Sequence, residues 1–256
     1  MKKIMCFFFV FVNLIVISCN STDDLDEIKQ AVSGNVLLPT KLIYKTQTST
    51  LSYDDQRRLV AFNEVEVDQL YSKVHILNYE QDVLKGVKVV YKSSEKEGSY
   101  GYTIDYHFNY DGNKIEVSSV FKDATGLEIN EVYNLSVSNS GFLNNGNDVE
   151  VAYDQDYNLI ELQSEGVETD FYFDNQNAIF KNINTPQWVF YIFFKEGMHK
   201  FNNPVKIVNL EIESNNEIIS NFKYEYNSDG FPVKQHVSQS DSFTYELNIE
   251  YELFFL

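Results

Sequence analysis

The chain reads as an all-β protein, one antiparallel domain of consecutive hairpins from about residue 36 to 256, and three observations predict it. The first is alternation. From Tyr100 the even positions read Tyr100, Tyr102, Ile104, Tyr106, Phe108 and Tyr110, against Gly101, Thr103, Asp105, His107 and Asn109. Phe243, Tyr245, Leu247, Ile249 and Tyr251 alternate in the same way with Ser242, Thr244, Glu246, Asn248 and Glu250. Period two gives a strand one apolar and one wet face, as in antiparallel sheets. The second observation is a turn that recurs after such strands. The third is that no segment shows a comparably clean i, i+3, i+4, i+7 stripe.

The N-terminus comes first. Lys2 and Lys3 precede an apolar run from Ile4 to Ile17 that is broken only by Asn13. A basic start, a short apolar core and a small residue before the cut form a secretory signal over residues 1–18. The run is shorter than the roughly 20 apolar residues that span a bilayer. Val16-Ile17-Ser18-Cys19 resembles a bacterial lipobox, which implies that Cys19 becomes the lipidated first residue of the mature chain. Residues 19–35 then read as a flexible tether with four acids in the five positions Asp23 to Glu27. This stretch resembles the short acidic export tag that carries Bacteroidota lipoproteins to the outer face of the outer membrane. The resemblance implies a lipid-anchored, surface-exposed protein rather than a periplasm-facing one.

Composition bounds the body. Loss of the leader leaves 18 basic against 38 acidic residues, a net charge of −20. Such a chain is repelled by nucleic acid and by anionic headgroups, so no nucleic-acid partner is expected. With 18 Tyr, 20 Phe and 43% hydrophobic residues it packs a core instead of remaining disordered. Cys6 leaves with the leader and Cys19 takes lipid, which leaves no thiol for a disulfide, a thiolate metal site or a nucleophile.

The recurring turn appears at Tyr53-Asp54, Tyr110-Asp111, Tyr153-Asp154, Phe173-Asp174 and Tyr226-Asn227. Each time the aromatic closes a strand on its apolar face. The Asp or Asn bonds the backbone two residues on, a Gly or Asn takes φ > 0, and an aliphatic residue opens the return strand. Pro232, just after the last turn, suits a strand start or an exposed edge.

These five units resemble the YD repeat, Tyr-Asp-x-x-Gly-x-Leu. Over residues 40–256 the chain resembles a YD-repeat-like bacterial (Bacteroidota-type) lipoprotein domain of unknown function with a porin-like, half-barrel fold. The stretch Tyr172 to Ile183 is a further marker. The resemblance implies a large curved antiparallel sheet, a secreted location and no established chemistry. The turn glycine occurs in only two units and the spacing is uneven, unlike the long toxin-delivering YD shells, so a cocoon-forming shell is not expected.

One segment breaks the alternation. Thr185-Pro186-Gln187 leads into the apolar run Trp188 to Phe194, followed by Lys195-Glu196-Gly197. Seven apolar residues in a row also fit a doubly buried strand. Thr as N-cap, Pro at the first helical position and Gly at the end favour a short helix near 186–200, plugging the concave face of the sheet.

No motif for chemistry stands out. The sequence has no Gly-x-Ser-x-Gly nucleophile turn, no phosphate-cradling glycine loop and no dinucleotide fingerprint. His75, His107, His199 and His236 are far apart and not at metal-ligand spacing. The turns Asn144 to Asp148 and Asn227 to Gly230 carry oxygen ligands without the alternating acids of a strong calcium loop. No catalytic residue, metal or cofactor is therefore assigned. The tyrosine face Tyr100, Tyr102, Tyr106 and Tyr110 must place its hydroxyls somewhere polar, in a hydrogen-bonded core or in a wet ligand groove. The expected function is a non-enzymatic surface module that binds or scaffolds a glycan, a lipid-like molecule or an envelope protein. The alternative is a surface polysaccharide hydrolase with a carboxylate pair hidden among the acids.

Overall fold

The computed structural model describes residues 35–68, 70–95, 98–138, 141–146, 149–164, 166–194, 199–240 and 243–255. The leader, Cys19 and the tether up to residue 34 lie outside them. The first strands are β1 (Val36–Tyr44), β2 (Gln47–Tyr53), β3 (Leu59–Glu66), β4 (Tyr71–Glu80) and β5 (Val83–Glu95). Next come β6 (Gly98–Asp111), β7 (Lys114–Asp123), β8 (Glu128–Ser136), β9 (Val149–Tyr153), β10 (Leu159–Ser164) and β11 (Val167–Phe173). After helix α1 (Gln187–Phe193) follow β12 (Pro204–Glu211), β13 (Asn216–Tyr226), β14 (Pro232–Gln239) and β15 (Thr244–Phe254).

The described strands form one 15-stranded sheet in the order β8-β7-β6-β5-β4-β3-β2-β1-β15-β14-β13-β12-β11-β10-β9. Every neighbouring pair is antiparallel, and the first and last strands meet in mid-sheet, with Val36 opposite Phe254 and Leu42 opposite Ile249. The sheet is unclosed and half-barrel-like. An odd number of alternating strands leaves its two edges, β8 and β9, running in the same direction. Among the described residues, the chain between them meets the edges through antiparallel bridges Val137–Leu143 and Gly146–Val149 and a hydrogen bond from the Asn144 N–H to Ser136 O.

All five aromatic-Asp/Asn turns fall at one end of the sheet, called here the closed end. Asp54 Oδ1 accepts the N–H groups of Gln56 and Arg58 at 3.0 and 2.9 Å. Asp154 does the same for Asp156 and Asn158, and Asn227 for Asp229 and Phe231. In these three turns the third residue after the Asp or Asn lies in the left-handed region: φ is 62° at Arg57, 63° at Tyr157 and 75° at Gly230, whereas after Asp111 the left-handed residue is Gly112 at 56°. Gly230 fits the sequence expectation. Arg57 and Tyr157 correct it, because the side-chain hydrogen bonds of the turn impose this conformation on residues that disfavour it by about 1–2 kcal/mol. Bulges at Ser52/Tyr53, Asn78/Tyr79 and Glu225/Tyr226 sharpen the twist beside the strand-ending rings.

The fourth turn is not a hairpin. The Asp174 N–H donates to Asn203 O at 3.0 Å, and the Asn203 N–H returns to Asp174 Oδ1 at 3.1 Å. Residues 175–202 are thus an excursion inserted into one turn. Asparagines fasten it to the closed end: Asn182 Nδ2 to Leu37 O (2.9 Å), Asn184 Nδ2 to Gln56 O (2.7 Å) and Asn177 Nδ2 to Asp229 O (2.8 Å).

The excursion carries α1, a helix too short to be stable alone. Trp188, Val189 and Phe190 are fully buried within a core that includes Leu38, Leu42, Leu51, Phe62, Val87, Val89, Phe108 and Ile249 from the inner face of the sheet. The indole meets the Phe108 ring edge-on at 5.1 Å. The helix therefore plugs the concave face, as the sequence suggests. Its start differs from the expectation: Pro186 is the N-cap, with no side-chain cap bond. The Thr185 hydroxyl instead accepts the Leu59 N–H at 2.8 Å and lies 3.2 Å from the Tyr79 hydroxyl. Residues 195–198, with the glycine expected to end the helix, lie outside the described residues.

Candidate functional site

The outer face of the sheet is ruled out as a membrane-embedded surface. It carries the ion pairs Lys41–Glu250 (3.7 Å), Lys88–Asp105 (3.2 Å), Lys122–Glu128 (3.2 Å) and Lys234–Glu246 (3.1 Å). A spanning barrel shows lipid an apolar band around a polar lumen. This sheet has the opposite polarity, with charge outside and an aromatic core inside. The inner face that α1 leaves uncovered is the candidate working surface.

At the closed end six inner-face tyrosine hydroxyls are tied to protein acceptors. Tyr53 donates to Pro39 O (2.6 Å), Tyr110 to Leu84 O (2.7 Å), Tyr153 to Leu143 O (3.1 Å), Tyr224 to Pro204 O (2.8 Å) and Tyr251 to Pro232 O (2.9 Å). The Tyr226 hydroxyl bonds the Asp174 carboxylate. Burial pushes the Tyr110, Tyr153 and Tyr251 hydroxyls well above the usual phenol range.

At the opposite, open end a shelf of rings crosses four strands. Tyr71 of β4 lies 5.1 Å from Tyr91 of β5, which stacks on Tyr102 of β6 at 4.7 Å with 6° between the planes. Tyr102 in turn lies 5.4 Å from Phe121 of β7. Tyr100 sits at the margin, 53% exposed, with its ring tilted edgewise against both Tyr91 and Tyr102. Register accounts for the assembly. In the β5–β6 hairpin Tyr91 is opposite Tyr102 and Ser93 opposite Tyr100, so these side chains share a face.

Polar groups border the shelf. Glu64 of β3 is opposite Lys73 of β4, and Gln47 Nε2 donates to Glu64 Oε1 at 2.9 Å. Burial raises the Glu64 carboxyl, against the opposing effects of Lys73 and Gln47. Burial foremost, then the Glu64 charge, pushes the Tyr71 hydroxyl up to about 12. A recess of ≈ 470 Å³ lies at the same end mostly on the outer face, where Ser72, Lys92 and Gly101 alternate with the shelf residues and Tyr100 reaches its margin.

The structure therefore divides the four tyrosines singled out in the sequence. Tyr100 and Tyr102 belong to the open shelf. Tyr106 packs edge-on against Phe193 of α1 at 4.9 Å, and Tyr110 is tied to the backbone. Those two serve the core. Sequence reasoning missed Tyr71, Tyr91, Phe121, Glu64 and Lys73. A hairpin counted from a turn at residues 95–98 would have placed Tyr91 opposite Tyr102, but β4 and β7 give no such signal.

The histidines stay apart. His75 is buried against Phe62 and Phe194, and burial, helped by Lys73, holds its pKa down near 3. His199 packs against Phe171 and Phe173, and burial lowers its pKa to about 4. His107 is exposed, and His236 bridges Glu225 and Glu246. Among the described residues no group of three His, Cys, Asp or Glu side chains is placed to hold a metal ion. The turn oxygens of Asn145 and Asn227 are spent on backbone N–H groups.

No family model and no curated relative matches the sequence. Two solved structures are similar to it in arrangement. One is a porin-like protein from Bacteroides vulgatus, with 13% identity and a TM-score of 0.44, covering 84% of this chain and 99% of that one. The other is a porin-like protein from Bacteroides uniformis, with 12% identity and a TM-score of 0.42, covering 84% and 98%.

Proposed function

We propose that this chain is a non-enzymatic binding module, anchored by lipid on Cys19 to the outer membrane and exposed at the cell surface, that works through the open-end shelf. One observation carries the reading: Tyr71, Tyr91, Tyr102 and Phe121 form a continuous strip on the half of the inner face that α1 does not fill. Aromatic strips with polar borders suit ligands that combine apolar faces with hydrogen-bonding groups.

The test is an array of glycans, fatty acids and envelope proteins probed with the full chain in detergent free of sugar headgroups. Binding that is lost in Tyr100→Ala is the expected outcome. Turnover of any bound glycan would replace the module with the polysaccharide hydrolase. The anchor has its own test, since Cys19→Ala should release the protein from membranes or leave the precursor uncleaved. A variant that stays membrane-bound and fully processed would remove lipid from the proposal.

A further inference from the structure

The two ends of the inner face treat their tyrosines differently. Five closed-end hydroxyls donate to main-chain carbonyl oxygens, and a sixth, on Tyr226, bonds a carboxylate. Tyr71, Tyr91, Tyr100 and Tyr102 make no hydrogen bond to the described residues, and none of their hydroxyls is sealed from water. The shelf is therefore a row of phenols about one strand spacing apart, roughly 5 Å, with free donor and acceptor capacity.

Ring geometry sharpens this. Tyr91 and Tyr102 stack with nearly parallel planes, so the faces they turn to each other are already used. What that pair presents to a ligand is hydroxyl tips and ring edges. Tyr100 is the exposed ring beside them. A ligand that fits needs hydrogen-bonding groups repeated at short intervals and a small apolar patch at one margin.

Charge narrows the class. The chain carries a net charge of −18, and Glu64 stands at the border of the shelf. Anionic chains are repelled. Lys73, across the ladder from Glu64, disfavours a cation in the same place. A bare alkyl chain would strip water from the phenols and return no hydrogen bond, which is costly. We infer that the open-end shelf binds a neutral glycan chain, whose hydroxyls bond Tyr71, Tyr91, Tyr102 and Glu64 while a sugar C–H face lies on Tyr100. This inference rests on the binding-module reading and names the ligand class of that same surface.

The experiment measures binding of the full chain, in sugar-free detergent, to neutral gluco-, xylo-, manno- and galacto-hexaoses. Polygalacturonate and stearate serve as comparison probes. At least one neutral hexaose should bind, and polygalacturonate should not. Tyr91→Phe and Tyr102→Phe, which keep the rings and delete the hydroxyls, should each weaken binding about threefold to tenfold with an unchanged melting temperature. Tyr110→Phe should leave the affinity unaltered. Preference for polygalacturonate, full affinity in both phenylalanine variants, or silence from every neutral hexaose overturns the neutral-glycan assignment. If stearate or an envelope protein then binds in a Tyr100→Ala-sensitive way, the assignment fails but the module stands. If nothing that binds depends on Tyr100, both fall.

Discussion

The closed and open ends of this sheet use the same residue type for opposite purposes. At the closed end tyrosine is a cross-brace: its ring fills the core and its hydroxyl holds the neighbouring strand or loop, as Tyr53 holds Pro39 O and Tyr251 holds Pro232 O. On the open-end shelf Tyr71, Tyr91, Tyr100 and Tyr102 pack ring against ring and make no hydrogen bond to the described residues. The difference arises from the inserted turn at Asp174, which sends its excursion under one end only. Where the plug covers the sheet, a buried hydroxyl is stabilised by an internal partner, although His75 Nδ1 and Gln187 Oε1 lack one. Where it does not, water supplies one, and a ligand can take the water's place.

The largest test of this contrast removes the plug's anchor. Trp188→Ala leaves a cavity against Phe108 and should cost about 3–5 kcal/mol in denaturant unfolding. Phe108→Ala should cost about 3 kcal/mol or more for the same reason. His107→Ala, one residue away on the wet face, should stay within about 0.5 kcal/mol. Equal losses at 107 and 108 would mean the two faces have been assigned wrongly.

A smaller pair of variants compares the ends directly. Tyr110→Phe deprives Leu84 O of its donor and should lower stability by about 1 kcal/mol. Tyr91→Phe removes a hydroxyl with no partner among the described residues and should change stability by less than about 0.5 kcal/mol. If both cost the same, the open-end phenols are structural after all.

Much of the fold was legible because its signals are local. Alternation in β6 and β15 and the Asp or Asn of each turn act within a few residues, and Pro232 does start β14. The short helix was favoured by Pro186 at its start, because the unbroken apolar run alone fits a doubly buried strand equally well. The inserted fourth turn could not, because Asp174 finds its partner at Asn203, and nothing near 174 announces that. The capping role expected of Thr185 failed likewise: its hydroxyl is held by Leu59, which is remote in sequence. The candidate site was half legible. Tyr100 and Tyr102 stood out by alternation, whereas Tyr71, Tyr91 and Phe121 joined them only through the register of three strand pairs.

The pairing of β1 with β15 in mid-sheet has a consequence in time. A chain made from its N-terminus presents β1 through β8 long before α1 exists to cover their inner face, and β1 waits for the last strand of all. Joining Val36 to Phe254 closes a loop of over 200 residues, a late and entropically costly contact. Until then two half-sheets expose the edges of β1 and β14, where stray strands can pair. Folding of this protein is therefore expected to be slow, completed when β15 arrives, and intolerant of the loss of that strand.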